Sequence, residues 1–183
     1  MTHPLGRLLI GVTGSSATTA ADLLVKRALD IYADSVTVVA SPAALAFLPR
    51  LDRVAIYTDE NWATDPNPLH TKLLDQCDHF LVAPTTANTL AKAAHGLTDN
   101  LLCALILKQS SRSSVSFYPA MHGDMWHARV TQDNVAKLRA YGHHVLTPEP
   151  GPSRSSDDPC SAVGTIPGTA LEQLAAMVSA SHA

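Results

Sequence analysis

The most constraining feature of this sequence is a stretch, residues 78–102, that changes from an apolar run to a helical pattern. Phe80-Leu81-Val82-Ala83 is continuously apolar, which is typical of a parallel strand buried on both faces. Pro84 is expected to end the strand's hydrogen-bond ladder, because proline has no N–H. A polar turn then precedes an expected helix with one apolar face, formed by Leu90, Ala93, Ala94, Leu97, Leu101 and Leu102. This order indicates an open α/β sheet, in which ligands bind at the turns after the strands.

The rest of the chain alternates in the same way. Further strands are expected at 7–12, 35–40, 54–57, 114–118 and 144–146. Helices are expected at 17–32, with Ala20, Leu23, Leu24, Ala28 and Ile31 inward, and at 131–141 and 169–179. The segment 58–68 is polar and contains prolines, so it is expected to be a loop. We therefore predict an α/β fold: a doubly wound, Rossmann-like and flavodoxin-like parallel sheet of about six strands.

Length and composition narrow the possible functions. The chain has 183 residues, 46% of them hydrophobic, which predicts one domain over 1–183 with a flexible flap at about 148–165. A net charge of −3 argues against nucleic-acid partners and anionic membranes. No apolar run is long enough for a membrane span, and the N-terminus lacks signal-peptide features. Three cysteines without CxxC spacing indicate reduced thiols and a cytoplasmic protein.

Two polar turns are candidate ligand sites. Gly14-Ser15-Ser16 stands between a strand and a helix, where free N–H groups, hydroxyls and the helix dipole suit a phosphate. The turn lacks the GxGxxG pattern, which favours a mononucleotide over a dinucleotide, although an ordinary helix cap would have the same sequence. Ser41 follows the second expected strand and could lie beside this turn or simply cap a helix. In the second turn, the Asn88 amide and neighbouring hydroxyls can hold a polar group.

Several motifs together resemble those of the homo-oligomeric flavin-containing cysteine decarboxylases. PTTANT at 84–89 is similar to the family's PASANT motif, and GVTGSSA at 11–17 to its GVTGSxA. PAMHGDMW at 119–126 resembles PxMNxxMW, except that His122 replaces the asparagine. His70 stands 16 residues before Thr86, the spacing of the family's active-site histidine. The resemblance covers about residues 7–148.

This resemblance implies an FMN cofactor and a set of site residues. The cofactor-binding residues would be Gly14, Ser15, Ser16, Ala17, Ser41, Thr86, Ala87, Asn88, Thr89 and Ala120. The catalytic residues would be His70, which can exchange a proton near neutral pH, and Asn88. The substrate-binding residues would be Asn88, Met121, His122, Met125, Trp126 and Cys160. The family also implies homotrimers or dodecamers built from trimers, with His70 acting on flavin held mostly by a neighbouring subunit.

Two residue types leave weaker hypotheses. Cys160 could be the flap cysteine that helps the pantothenate enzymes of this family to finish the reaction, but the flap's Gly-Asp and Gly-rich tail are missing here. The nine histidines are dispersed without HxxxH or HExxH spacing, so no metal site is expected.

Three functions compete within this resemblance. The preferred one is FMN-dependent oxidative decarboxylation of the C-terminal cysteine of a ribosomal precursor peptide to an aminoenethiol. It rests on His122, on the altered flap, and on the absence of a ligase domain from the chain. The alternatives are a phosphopantothenoylcysteine decarboxylase of coenzyme A biosynthesis and a non-catalytic flavoprotein regulatory subunit.

Overall fold

The computed structural model describes residues 3–153, 158, 160–164 and 168–181. Within these residues the strands are β1 (Arg7–Val12), β2 (Ser35–Ala40), β3 (Ala55–Tyr57), β4 (His79–Thr85), β5 (Ser116–Pro119), β6 (Met121–His122), β7 (His144–Val145), β8 (Pro150–Gly151) and β9 (Ala162–Val163). Six of them form a parallel sheet in the order β3-β2-β1-β4-β5-β7, and the other three form an antiparallel sheet in the order β6-β9-β8. The predicted doubly wound parallel sheet is confirmed.

Helices cover both faces of the parallel sheet. They are α1 (Ala21–Arg27), α2 (Asp59–Thr64), α3 (Leu69–Asp75), α4 (Ala87–His95), α5 (Leu101–Ser110), α6 (Gly123–His127), α7 (Arg129–Ala140) and α8 (Gly168–Ser181). A 3-10 turn, Ser16–Ala20, leads into α1, and a π-helical turn, Ala28–Tyr32, follows it. Among the described residues, no helix is both long and apolar enough to cross a bilayer.

Side-chain alternation along the strands divides the core into two layers. Leu8, Ile10 and Val12 pack with residues of α1 and α8 on one face. Leu9 of the same strand packs on the other face with residues of α3, α4, α5 and α7. Successive side chains of a strand point to opposite faces, so a continuous apolar run is buried on both. The chain runs from β1 outward to β2 and β3, then crosses to β4, and this reversal opens a crevice at the carboxyl ends of β1 and β4.

The stretch after β4 differs from the sequence prediction in two ways. Pro84 lies within β4 rather than at its end, and pairing resumes beyond it, where the Thr85 carbonyl accepts the Ala120 N–H at 2.8 Å. The expected single helix is two helices, because Gly96 ends α4 in the left-handed conformation (φ 68°) and the Asn100 side chain caps α5. Leu97 therefore lies in the connection and is exposed, contrary to the prediction.

Two other local predictions are wrong for reasons of local geometry. The segment expected as a loop contains α2, which begins with a capping box between Thr58 and Asn61. Leu23 and Ile31 were expected to face inward but are exposed, because the 3-10 and π turns change the winding from 3.6 residues per turn. The residues buried in this segment include Ala21, Leu24, Val25 and Ala28.

The expected flap is partly described. β8 and β9 add to β6, so this part of the segment is paired next to the end of β5. Residues 154–157, 159 and 165–167, in and just beyond the expected flap, lie outside the described residues.

Candidate active site

A cavity of about 750 Å³ lies at the crevice between the carboxyl ends of β1 and β4. Its volume is in the range of pockets that bind cofactors and small molecules, about 300–1,000 Å³. Four parts of the chain line it: the turns after β1 and β2, the first turns of α4 with the start of α5, and the small antiparallel sheet with α6. The lining residues are Gly14, Ser15, Ser16, Ala17, Ser41, Pro42, Ala43, Phe47, Thr86, Ala87, Asn88, Thr89, Lys92, Asp99, Asn100, Ala120, Met121, His122, Met125, Pro152, Ser153, Ala162 and Val163.

A buried hydroxyl joins the two turns on which the site is built. Thr13 donates its hydroxyl hydrogen to the Pro84 carbonyl at 2.8 Å and accepts the Thr86 N–H at 3.0 Å. Thr13 is 1% exposed, so water does not compete with these bonds. Thr13 was not among the residues expected in the site from the sequence, although it is the first polar residue after an apolar strand. Its bonds fix the spacing between the Gly14-Ser15-Ser16 turn and the start of α4.

The turn after β2 packs closely against the turn after β1. A Cβ atom on Gly14 would lie 2.6 Å from the Cβ of Ala43, so a larger residue at position 14 would push these turns apart. Ser41 is only 7% exposed and lines the cavity, yet no described residue engages its hydroxyl. Ser16 likewise has an exposed side chain without a hydrogen bond to the described residues. Two hydroxyls and a helix start therefore face the cavity, ready to bind an anionic group.

The start of α4 presents one amide to the cavity. The Thr86 hydroxyl caps α4 by accepting the Thr89 N–H at 3.4 Å and lies 3.2 Å from the Thr89 hydroxyl. These two hydroxyls are thus partly used within the chain. Asn88 is exposed in the cavity wall, and its amide bonds to no described side chain. Its two N–H donors and its carbonyl are available to a ligand.

His122 stands at the start of α6, where its Nδ1 lies near both the backbone N–H and the carboxylate of Asp124, the latter at 3.5 Å. Its Nδ1 accepts the Asp124 N–H at 3.3 Å and thereby caps α6. A neutral ring that accepts this bond on Nδ1 carries its proton on Nε2, which is then a donor. His122 lines the cavity beside Met121 and Met125. The exchange of asparagine for histidine in this motif therefore has a structural role in the cap as well as a place in the cavity wall.

Three residues predicted for the site do not line this cavity. His70 is half-buried at the start of α3, with its ring edge-on to Trp62 at a centroid distance of 6.4 Å. Its Nδ1 is buried and finds no hydrogen-bond partner among the described residues. Trp126 is half-buried against the core layer of α3, α4, α5 and α7, and Cys160 is exposed. The other predicted residues all line the cavity.

None of the three cysteines, all of which the structure describes, lines the cavity. Cys77 lies just before β4, at the amino end of that strand and away from the cavity. Burial raises the pKa of its thiol to about 11. Cys103 is buried in α5, and burial likewise raises the pKa of its thiol. Both thiols are therefore protonated and unreactive near neutral pH. Cys160, by contrast, is exposed.

Several lining residues were not expected from the sequence, including Phe47, Lys92, Asp99 and Asn100. Lys92 follows Asn88 by four residues, so its place on the same face of α4 was available from helical periodicity. Asp99 and Asn100 reach the cavity only because the chain turns at Gly96 and starts a new helix. The small sheet contributes Ala162 and Val163 from a distant part of the chain, and no local pattern indicates that contact.

A fold with a mononucleotide-sized cavity at a topological switch point defines the class of α/β nucleotide- and cofactor-binding proteins. The family model described as "Flavoprotein" matches residues 3–167. The chain therefore belongs to the Flavoprotein family.

Individual proteins agree with this family. The chain is 41% identical over 143 residues to the phosphopantothenoylcysteine decarboxylase of Mus musculus, covering 75% of this chain and 70% of the mouse protein. It is similar to the structure of a mutant PPC decarboxylase complexed with pantothenoylaminoethenethiol, with a TM-score of 0.87, 28% identity, and coverage of 96% of this chain and 99% of that one. The FMN binding protein AtHal3 has a TM-score of 0.81 and 27% identity, with coverage of 95% and 97%.

These comparisons overturn the preferred prediction of a precursor-peptide substrate. A peptidyl-cysteine decarboxylase shares the fold, but at a TM-score of 0.69, 26% identity, and coverage of 79% of this chain and 87% of that one. The mouse relative and the PPC decarboxylase structure are more similar and act in the alternative class. The prediction of a peptide partner and peptide product was wrong: it rested on His122, on the altered flap and on the absence of a ligase domain, and none of these identifies a substrate. One side chain in a cavity wall, occupied in part by capping α6, does not identify a substrate.

Proposed function

We propose that this chain is an FMN-dependent phosphopantothenoylcysteine decarboxylase. The observation that carries the proposal is its 41% identity to the mouse enzyme over 143 residues. The substrate is then a small phosphorylated molecule that ends in a cysteine carboxylate. The cavity at the carboxyl ends of β1 and β4, with its mixture of polar turns and apolar wall, supports a ligand of this kind.

The predicted FMN cofactor is confirmed by the Flavoprotein family match and by the FMN-binding neighbour AtHal3. The residues of this chain fit such a group. The turn Gly14-Ser15-Ser16 at a helix start and the unengaged Ser41 hydroxyl provide donors for a phosphate. Phe47, Met125 and Val163 provide an apolar wall for a ring system. When bound, FMN supplies the two-electron oxidation of the cysteine side chain on which the decarboxylation depends.

Asn88 and His70 have separate roles in this proposal. The free amide of Asn88 binds the substrate carboxylate through its N–H donors and orients the bond that breaks. His70 exchanges a proton with the thiol or with the neighbouring carbon. Because His70 lies outside the cavity of its own chain, we propose that it acts at the cavity of a neighbouring copy. This arrangement requires a homo-oligomer, and a trimer or a dodecamer of trimers satisfies it.

Met121, His122 and Met125 form the remaining substrate wall of the proposed site. His122 offers Nε2–H as a single donor, while Nδ1 stays on the cap of α6. A substrate amide oxygen is a suitable acceptor for this donor.

The three cysteines form no disulfide, which supports a reducing compartment such as the cytoplasm.

The test is turnover by the purified, FMN-loaded protein. We expect release of carbon dioxide from phosphopantothenoylcysteine, measured by mass spectrometry of the product, and none from the same compound with its carboxyl group amidated. Asn88→Ala should retain bound flavin absorbance and lose carboxylate-dependent turnover. Turnover of peptides ending in cysteine, with phosphopantothenoylcysteine untouched, would contradict the proposal.

A further inference from the structure

Two charged side chains line the cavity next to Asn88, and they are bonded to each other. Lys92 Nζ donates to Asp99 Oδ2 at 2.6 Å, and the Lys92 side chain is only 20% exposed. The other carboxylate oxygen of Asp99 accepts the Asn100 side-chain N–H at 3.2 Å. Asn100 in turn caps α5 by accepting the Cys103 N–H at 2.9 Å. Asp99 is thus held by the start of α5, and Lys92 is held by Asp99.

Lys92 stands one helical turn beyond Asn88. Residues four apart on a helix lie on the same face, with Cβ atoms about 5–6 Å apart. A lysine side chain spans that distance easily, so an anion bound by the Asn88 amide is within reach of an unrestrained Lys92. The hydrogen bond to Asp99 raises the pKa of Lys92, and the same bond lowers the pKa of Asp99. The pair is therefore charged at neutral pH, and its net charge is zero.

The chemistry of the proposed reaction makes this neutralisation useful. In the decarboxylation step the bond between the carboxyl carbon and Cα breaks, its electron pair stays on the substrate, and neutral carbon dioxide leaves. This step would follow a two-electron oxidation of the cysteine side chain, for which bound FMN would be the oxidant. Negative charge moves away from the carboxylate as the step proceeds. A cation paired with the carboxylate would stabilise the bound substrate more than the transition state and would slow the step.

We propose that Asp99 is a positioning residue that keeps Lys92 away from the substrate carboxylate, so that Asn88 binds the carboxylate as a neutral donor. This inference rests on the proposed function. It assigns the pair a role in the rate of carbon–carbon cleavage in addition to its place between α4 and α5. Among the described residues that line the cavity, Lys92 is the only lysine or arginine, so it is the cation that Asp99 has to restrain.

The decisive variant is Asp99→Asn, which removes the carboxylate and releases Lys92. The binding probe is N-acetyl-S-methylcysteine, whose blocked thiol is not oxidised, and its carboxamide is the uncharged counterpart. Adding an ion pair with Lys92 to the hydrogen bond from Asn88 should tighten carboxylate binding by about five- to tenfold. We expect that change in Kd for the carboxylate probe only, together with a fall in kcat of about tenfold on phosphopantothenoylcysteine.

Two further variants separate this role from a structural one. The double variant Asp99→Asn/Lys92→Met should return carboxylate binding to the wild-type value, because the released cation is gone. Asp133→Asn removes the same charge from an exposed ion pair with Arg129 and should change neither Kd nor kcat. A purely structural pair would instead weaken binding of both probes when Asp99 is changed.

The outcomes distinguish this inference from the proposed function. If wild type turns over phosphopantothenoylcysteine but Asp99→Asn binds the carboxylate probe no more tightly, the inference is wrong and the function stands. If wild type leaves phosphopantothenoylcysteine unchanged, the function is wrong. The comparison of the carboxylate and carboxamide probes then still decides whether Asp99 restrains Lys92.

Discussion

At the scale of single residues, His143 is the most buried histidine among the described residues. It is 5% exposed, and its Nδ1 accepts the Val115 N–H at 3.2 Å. Its Nε2 therefore carries the proton and donates to the Ser110 hydroxyl at 3.0 Å, while that hydroxyl donates to the Ile106 carbonyl at 2.9 Å. Every polar atom of the ring is satisfied in the neutral form. Burial, and secondarily the charge of His144, lowers the pKa of His143.

This lowered pKa predicts a loss of stability in mild acid. Below the ordinary histidine pKa of 6.5 the unfolded chain takes up a proton that the folded chain does not, so the free energy of unfolding falls as pH falls toward the folded pKa. Well above pH 6.5 the imidazole is neutral in both the folded and the unfolded state, so the contribution of His143 to the pH slope vanishes. Thermal unfolding followed from pH 8 to about pH 5 should show this decline.

Two variants test the assignment to His143. His143→Gln should be less stable at neutral pH, since its hydrogen bonds change, but should lose this component of the pH slope. His144→Gln should keep most of the slope, because burial is the larger cause of the lowered pKa. An unchanged slope in His143→Gln would assign the acid sensitivity to another group.

At the scale of elements, contacts around Gly164 and the end of β5 hold the small antiparallel sheet against the cavity. Gly164, with φ 69°, follows β9, and its N–H donates to the Glu149 carbonyl at 2.8 Å. A Cβ atom at this position would lie 1.8 Å from the Pro119 carbonyl oxygen. The Tyr118 hydroxyl lies 2.7 Å from the Thr169 hydroxyl at the start of α8. The end of β5 thus anchors the return of the chain that brings Ala162 and Val163 to the cavity.

Gly164→Ala should therefore lower the free energy of unfolding by more than the left-handed backbone angle alone predicts. Gly142 provides the matched control, since it has φ 85° and nothing within 4 Å of an added Cβ. Gly142→Ala should cost about 1–2 kcal/mol of unfolding free energy from left-handed strain. Gly164→Ala adds a collision with backbone, so we expect about 3 kcal/mol or more, measured by urea unfolding. Its substrate KM should also rise, because β9 lines the cavity, whereas Gly142→Ala should leave KM unchanged. Equal losses of unfolding free energy in the two variants would show that the chain around Gly164 accommodates the added Cβ atom without further cost.

At the scale of the whole molecule, we propose that the active site is divided between copies of the chain. Asn88 lines the cavity and His70 does not, although both are expected to serve one reaction. His70→Asn should retain FMN and lose turnover by roughly 10²–10⁴-fold, as is usual for a lost proton-transfer group. His95→Asn, at an exposed histidine on the end of α4, is the control and should keep wild-type turnover.

Mixed oligomers provide the sharper measurement. His70→Asn and Asn88→Ala, each inactive alone, should regain activity when they are unfolded together and refolded as a mixture. Random assembly pairs an intact His70 with an intact Asn88 in about a quarter of the sites, so about a quarter of wild-type turnover is expected. No recovery, from a mixture shown by native mass spectrometry to contain both variants, would place His70 and Asn88 of one chain in the same site.

The sequence by itself determined the sheet and the two turns at its centre. Apolar runs long enough for buried strands, each followed by a polar turn and a helical pattern, specify a parallel α/β sheet, and this information is local. Three of the residues that line the cavity were expected for the same reason: Gly14, Ser41 and Asn88 each follow an expected strand, and parallel strands bring such ends to one edge. The other expected site residues came from the resemblance to a known family.

Tertiary structure alone decided the parts that depend on contacts between distant segments. Pro84 could stay inside β4 because pairing resumes at Thr85 with the chain near Ala120. The turn at Gly96 brought Asp99 back to Lys92, and the pairing of β9 with β6 closed one wall of the cavity. His70 was expected in the site because its spacing from Thr86 resembles that of a known family, but in this chain it packs against Trp62 outside the cavity. Local patterns report which face of an element is apolar, but the free energy that selects its neighbour comes from long-range packing, which no window of sequence contains.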